Sequence, residues 1–154
     1  MLRSPAERER SRMITKPCVG VLLWACAGVA AAAPSGCLEV QQAWARYIPS
    51  NAMAAGYAVL ANTCGQPVTV VGARSAAFGQ VMLHESRVGD DGVSRMRHVD
   101  ELLIPAHGRV ELAPGGLHLM LMDARQPVMG GTLLPLVLQL KEGAEVEAEM
   151  AIKE

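Results

Sequence analysis

The chain is predicted to fold as a single all-β domain, a sandwich or barrel. Three observations predict this. Clusters of Gly, Pro, Asn and Asp recur about every ten residues, the spacing of short strands joined by tight turns. The stretches between them alternate apolar and polar side chains or are wholly apolar, as half-buried and fully buried strands do. No long helical periodicity interrupts them, and the ambiguous stretch 73–78 is short.

Strands are expected near 38–47, 55–62, 68–75, 80–88, 93–99, 109–112, 117–122, 132–140 and 145–151. The turn signals between them include Pro49-Ser50-Asn51, Asn62-Thr63-Cys64-Gly65, Gly89-Asp90-Asp91-Gly92, Pro105-Ala106-His107-Gly108, Pro114-Gly115-Gly116 and Gly130-Gly131. Thr132–Leu138 is nearly all apolar and reads as a core strand. Proline cannot donate to a ladder, so Pro135 must lie near the start of that strand or at a bulge.

Residues 1–33 read as a signal peptide rather than part of the fold. Arg3, Arg8, Arg10, Arg12 and Lys16 precede an apolar, Ala-rich run over 19–33, which is short for a membrane span. The small residues Ala30–Ala33 place cleavage near Ala32 or Ala33, and Met13 is an alternative start. A lipoprotein cut before Cys26 is disfavoured by Trp24, a bulky residue where small ones are usual. An uncleaved anchor is the other alternative. The mature domain is then 34–154, with no stable membrane insertion after cleavage.

The leader removes five basic and two acidic residues, leaving nine basic against thirteen acidic. No basic stripe remains, so nucleic acid is not an expected partner. Aromatic residues after the leader are Trp44, Tyr47, Tyr57 and Phe78, so Leu, Val, Ala and Met must build the core. Cys37 and Cys64 remain from four cysteines. They read as a disulfide in an oxidising compartment or, less favoured, as thiolate metal ligands.

Chemistry concentrates in two strands. In Leu117-His118-Leu119-Met120-Leu121-Met122, the leucines share one face while His118, Met120 and Met122 share the other. Upstream, Met82 and His84 likewise share a face, and Met96 and His98 follow the Gly-Asp-Asp-Gly turn. Thioether and imidazole together are a neutral donor set for a soft ion such as Cu(I). Mg²⁺ and Ca²⁺ want oxygen, and zinc favours Cys, His and carboxylate. His98 and His107 read as surface residues, and Met53, Met129 and Met150 as packing. Glu85, Asp90 and Asp91 read as solvated charges rather than a docking surface.

His84, Met96 and the pair His118-x-Met120 resemble the metal motif of the periplasmic PCuAC copper chaperones. That pattern runs His, about ten residues, Met, twenty-one residues, then His-x-Met. Here twenty-one residues separate Met96 from His118, and eleven separate His84 from Met96. The extra residue fits the tip over 89–92, where insertions cost little. Parity matters there, because a one-residue slip turns every side chain to the other face. An odd-numbered loop sets His84 opposite Met96, whereas an even-numbered one needs a bulge, and both stay open at this point. Ala43-Trp44-Ala45-Arg46, Ala54-Ala55-Gly56-Tyr57, Leu83-His84-Glu85 and Pro114-Gly115-Gly116-Leu117 agree with the same family, so the likeness spans the mature chain.

The resemblance implies a cupredoxin-like or immunoglobulin-like Greek-key fold. It implies a periplasmic carrier of one Cu(I), held by His84, Met96, His118 and Met120, with Met82, Met122 or His98 as alternative ligands. It also implies an acceptor: the copper-centre subunit of cytochrome c oxidase, or a thiol-bearing copper chaperone on the way to it. Two other functions compete. A blue-copper electron carrier needs a Cys beside the histidines. A secreted sandwich for adhesion or assembly needs no metal. An enzyme is not expected, because no G-x-S-x-G, H-E-x-x-H or acid–base pair is present.

Overall fold

A computed structural model describes residues 35–153. The proposed signal peptide therefore lies outside the described residues. Ten strands follow in chain order: β1 Leu38–Ile48, β2 Met53–Asn62, β3 Val68–Arg74, β4 Phe78–Val88, β5 Ser94–His98, β6 Leu102–Ile104, β7 Arg109–Leu112, β8 Leu117–Ala124, β9 Leu133–Leu140 and β10 Glu145–Lys153. Two short 3-10 turns, Ser35–Cys37 and Pro49–Asn51, flank β1. The all-β expectation holds, and nine of these strands match the predicted ones closely. The tenth, β6, is a three-residue strand ahead of Pro105, too short for a periodic signal. No helix among the described residues is long and apolar enough to cross a membrane.

All ten strands join one sheet, in the order β5-β4-β8-β2-β1-β10-β9-β3-β6, with β7 also paired to β2. The β1–β10 pairing is parallel and the rest are antiparallel. Strand β2 is shared: Ala54–Gly56 face β8, and Ala58–Ala61 face β7. Pro135 is third in β9, ahead of Val137, where pairing with β3 begins at Arg74, so it sits near the strand start as expected.

Inward side chains from nearly every strand form one cluster, including Leu38, Leu60, Val68, Phe78, Leu83, Ile104, Leu119, Leu121, Leu136 and Met150. Met150 is fully buried, as read from sequence, whereas Met129, also read as packing, is 70% exposed. Gly56 in β2 is required by close approach. A Cβ there would lie 3.1 Å from Leu121 Cδ1 and 3.2 Å from Met150 Sδ. This contact seats β2 against the leucine side of β8 and so fixes which face of β8 points outward.

Asn62 is the buried polar residue the sequence hides inside a turn signal. Its Nδ2 donates to the carbonyls of Gln66, Ile104 and Pro105 at 2.7, 3.3 and 3.1 Å, and its Oδ1 accepts from the Cys64 amide at 3.0 Å. Replacing it with Ala removes all four of these bonds at a residue 3% exposed, and of the three carbonyls that of Pro105 keeps the Gly108 amide as a donor. The expected cost is about 2–4 kcal/mol in chemical denaturation, and a loss under about 1 kcal/mol would contradict the role.

Candidate metal centre

The histidine–methionine face is built by three adjacent strands, β5, β4 and β8. Leu119 and Leu121 are 1% and 0% exposed, so hydrophobic burial holds one side of β8 inward. The alternate residues His118, Met120 and Met122 must then face the other way. Register brings the β4 residues against them. His84 lies directly opposite His118, and Met82 directly opposite Met120. Directly opposed side chains in such a pair have Cβ atoms about 5 Å apart, within reach of one ion.

On the other side of β4, His84 lies opposite His98, and Ser86 lies opposite Met96. The hairpin loop runs over 89–93, five residues, so of the odd and even alternatives the odd one occurs, without a bulge. The pairing is two residues further along than the one that sets His84 opposite Met96. Met96 keeps the same face as His84 but sits diagonal to it, nearer the tip, and is 55% exposed. The turn explains the step: Asp91 accepts from the Val93 amide at 3.1 Å, and Gly92 adopts a positive φ of 74°. The structure thus brings together His84, His118, Met120, Met82 and His98, and leaves Met96 at the rim. His98, read as a surface residue, is half exposed yet belongs to this face. His107 is exposed and lies in the turn between β6 and β7, as expected.

The imidazoles are prepared unequally. His118 is 5% exposed, and its Nδ1 lies 2.9 Å from the Gly116 carbonyl. A carbonyl only accepts, so Nδ1 carries the proton and Nε2 keeps its lone pair. His84 Nδ1 is buried with no hydrogen-bond partner among the described residues. A buried, unpaired ring nitrogen costs free energy unless something fills it, and a metal ion would. The His84 ring stands edge-on to both neighbours, with centroids 5.6 Å from His98 and 6.1 Å from His118. Met82 Sδ accepts from Gln80 Nε2 at 3.5 Å.

Burial first, then the neighbouring His98 and His118, hold the His84 pKa below the ordinary histidine value. A depressed histidine pKa means that the unfolded chain binds the proton more readily. Stability then rises with pH between the folded pKa and about 6.5, and is flat above. As the pH falls below about 6.5 the apo fold is expected to lose stability until the folded pKa is passed. An NMR titration of the His84 ring should show a midpoint below that value, and a midpoint above it would contradict the burial argument.

The nearby acids are engaged locally. Glu85 points to the opposite side of β4 and bridges Arg87 at 2.8 Å and Arg97 at 2.5 Å. Asp91 pairs with Arg95 at 2.6 Å. No three His, Cys, Asp or Glu side chains among the described residues already surround one point. The other donors on this face are the thioethers of Met82, Met120 and Met122. Two imidazoles and neighbouring thioethers form a neutral, soft set whose chemistry fits copper in its reduced state. Cys37 and Cys64 form a disulfide with Cα atoms 5.2 Å apart, so neither offers a thiolate.

The strand order and this donor face together define a domain of the PCuAC type. The chain belongs to the family described as "Putative lipoprotein LpqE-like", which matches residues 38–152. The similar "Putative lipoprotein Lxx21020" of Leifsonia xyli subsp. xyli (strain CTCB07) is 31% identical over 118 residues, 76% of this chain and 70% of that one. Among solved structures, the apo PCuAC domain from PmoF1 is 26% identical with a TM-score of 0.65, covering 77% of this chain and 94% of that one. Cu(I)-bound DR1885 from Deinococcus radiodurans is 30% identical with a TM-score of 0.62, covering 84% and 85%. The copper-bound PCuAC domain from PmoF2, 24% identical with a TM-score of 0.63 over 77% and 93%, shares the fold. A family named for lipoproteins and a disulfide both fit an exported protein.

Proposed function

We propose that this protein is a periplasmic copper chaperone that binds one Cu(I) and has no catalytic activity. His84, His118 and Met120 hold the ion, with Met96 swinging inward from the rim on its three rotatable bonds. The observation that carries the reading is the buried, unpartnered Nδ1 of His84 directly across from His118, whose tautomer leaves a free nitrogen. Two solved relatives are copper-bound, which supports the same cargo here. Met82, opposite Met120, is a second source of sulfur. Comparing Met82→Leu with Met96→Leu tells which thioether ligates.

A neutral donor set leaves the ion its single positive charge and lets a thiolate-bearing acceptor take it. The acceptor we propose is the copper-centre subunit of cytochrome c oxidase, reached directly or through a thiol-bearing chaperone. Export is through the leader over 1–33. Lipid attachment at Cys26 is the alternative favoured by the family's name.

A blue-copper role is disfavoured, because the two cysteines of the domain are joined to each other. The remaining competitor is a metal-free sandwich. Cu(I) added anaerobically stabilises a protein that binds it only when folded, by about 2.7 kcal/mol at a hundredfold excess over Kd. A melting temperature that rises with Cu(I) supports the chaperone. A melting temperature that stays fixed favours the metal-free reading.

A further inference from the structure

We infer that Arg46 and Lys153 form a docking point for the copper acceptor, which meets it with carboxylates set beside its own metal ligands. The inference rests on the copper reading above and adds the chemistry of the partner's surface.

Cross-strand register lays five residues in one row along the outer side of the sheet: Lys153 opposite Arg46, Arg46 opposite Ala55, Ala55 opposite Met120, and Met120 opposite Met82. Directly opposed residues project to the same side, so the row carries cations at one end and thioethers at the other. Arg46 is two strands from Met120, in the order β8-β2-β1. Neighbouring strands lie about 4.8 Å apart, so the two backbones are separated by about 10 Å. Only the methyl group of Ala55 stands between them in the row. A partner seated over the thioethers extends over the guanidinium as well.

The two charges have no acid to answer them. Among the described residues Arg74, Arg87, Arg95, Arg97 and Lys141 each pair with a carboxylate, and Arg46 and Lys153 pair with none. Both are exposed. Acids are not scarce, at thirteen against nine bases after residue 33. The acid next along the same side of β10 is Glu149, four residues from Lys153. That is about 13 Å along the strand. Like charges set directly opposite each other destabilise a sheet. Lys153 Nζ rests 4.8 Å over the Trp44 ring, a contact that positions the ammonium and leaves its charge uncompensated. Trp44 is braced in turn by Tyr57, with ring centroids 4.5 Å apart.

The outcome is a positioned pair of positive charges continuous with the donor face, and bound Cu(I) adds a third. Carboxylates are their complement, and such complementarity speeds encounter and fixes register. An anionic membrane surface is also a complement, but it fits less well. Lipid-binding patches gather about four to eight cations. A bilayer seated on this row would also cover the thioethers and shut out an acceptor.

The test uses two synthetic acceptor peptides with the same two cysteines, flanked in one by glutamates and in the other by glutamines. Versions with serine for cysteine measure docking alone on the exported, disulfide-intact protein, through fluorescence of Trp44, its one tryptophan after the leader. Phosphatidylglycerol vesicles are the third probe. At low salt the loaded parent protein is expected to pass Cu(I) to the glutamate peptide about tenfold faster than to the glutamine peptide, and added salt should close the gap. The double variant Arg46→Gln, Lys153→Gln should abolish the gap with Cu(I) affinity unchanged, and Arg46→Glu, Lys153→Glu should reverse it. Equal rates in the parent, or a gap that survives in the Gln variant, would overturn the inference and leave the chaperone reading intact. So would a Trp44 response to the vesicles and none to the glutamate peptide, which assigns the pair to a membrane surface. A parent protein that docks the glutamate peptide through the pair but holds no Cu(I) would support the docking point and overturn the chaperone reading instead.

Discussion

The double variant His118→Gln, Met120→Leu is expected to lose tight Cu(I) binding and keep its fold. Both residues project from the outer side of β8, beside the His84 and Met82 pair. The leucine side of the same strand, which anchors it in the core, is untouched. Gln retains a donor for the Gly116 carbonyl that His118 Nδ1 now satisfies. Met to Leu conserves volume and costs under about 1.5 kcal/mol. The copper affinity should therefore fall much further than the stability. Loss of an outer-shell partner alone typically costs a metal site about 10–100-fold, and removal of one nitrogen and one sulfur ligand together should exceed that. Competition with a Cu(I) chelator measures the affinity, and circular dichroism reports the fold. Unchanged affinity in a folded variant would remove these two residues from the site.

Loss of the Cys37–Cys64 disulfide, as Cys37→Ala, Cys64→Ala, is expected to give the second large effect, this time on stability. The bond spans 27 residues, enclosing all of β1 and β2. Closing a loop of that length restricts the unfolded chain and is worth about 3–4 kcal/mol in the chain-entropy account. Cys37 is only 1% exposed, so its truncation also leaves a small void. Nearby hydrogen bonds from the Thr63 amide and hydroxyl to the Cys37 carbonyl, 2.8 and 3.1 Å, hold the native ends together without the bond. The variant should therefore fold, with a melting temperature lower by about 10–15 °C. A fall of only a degree or two would mean that the unfolded chain gains little freedom when the bond is absent.

Much of this site is legible in local pattern, and the remainder depends on register. The His/Met alternation with leucine in β8 names its own buried and outward faces. The burial of Leu119 and Leu121 follows from that pattern. The same reasoning puts Met82 and His84 on one face of β4. What alternation cannot give is which residue meets which. An odd loop is required for an unbulged hairpin, yet a three-residue and a five-residue loop both satisfy it. Only the turn chemistry at Asp91 and Gly92 selects five, and the choice exchanges Met96 for His98 opposite His84. The signal was present as Gly-Asp-Asp-Gly, but reading it requires the hydrogen bond from the Val93 amide to Asp91.

Other misses have similar causes. Strand β6 is three residues long and earns its place by pairing with β3, a contact between segments more than thirty residues apart. Asn62 reads as a turn former, while its side chain organises three carbonyls from two loops. In β1, a register shift between Gln41 and Trp44, with Gln42 at a φ of 52°, lets Trp44 pair with Tyr57 across the strand boundary. Their rings lie 4.5 Å apart, and Lys153 Nζ sits 4.8 Å over the Trp44 ring. A bulge of this kind leaves no trace in a two-residue alternation.

The most direct test of the copper reading is an anaerobic Cu(I) titration against a competing chelator, with X-ray absorption at the copper edge on the loaded protein. One tightly held Cu(I) with mixed sulfur and nitrogen ligands is the predicted result. No tight binding, or a copper ion without sulfur ligands, would contradict it.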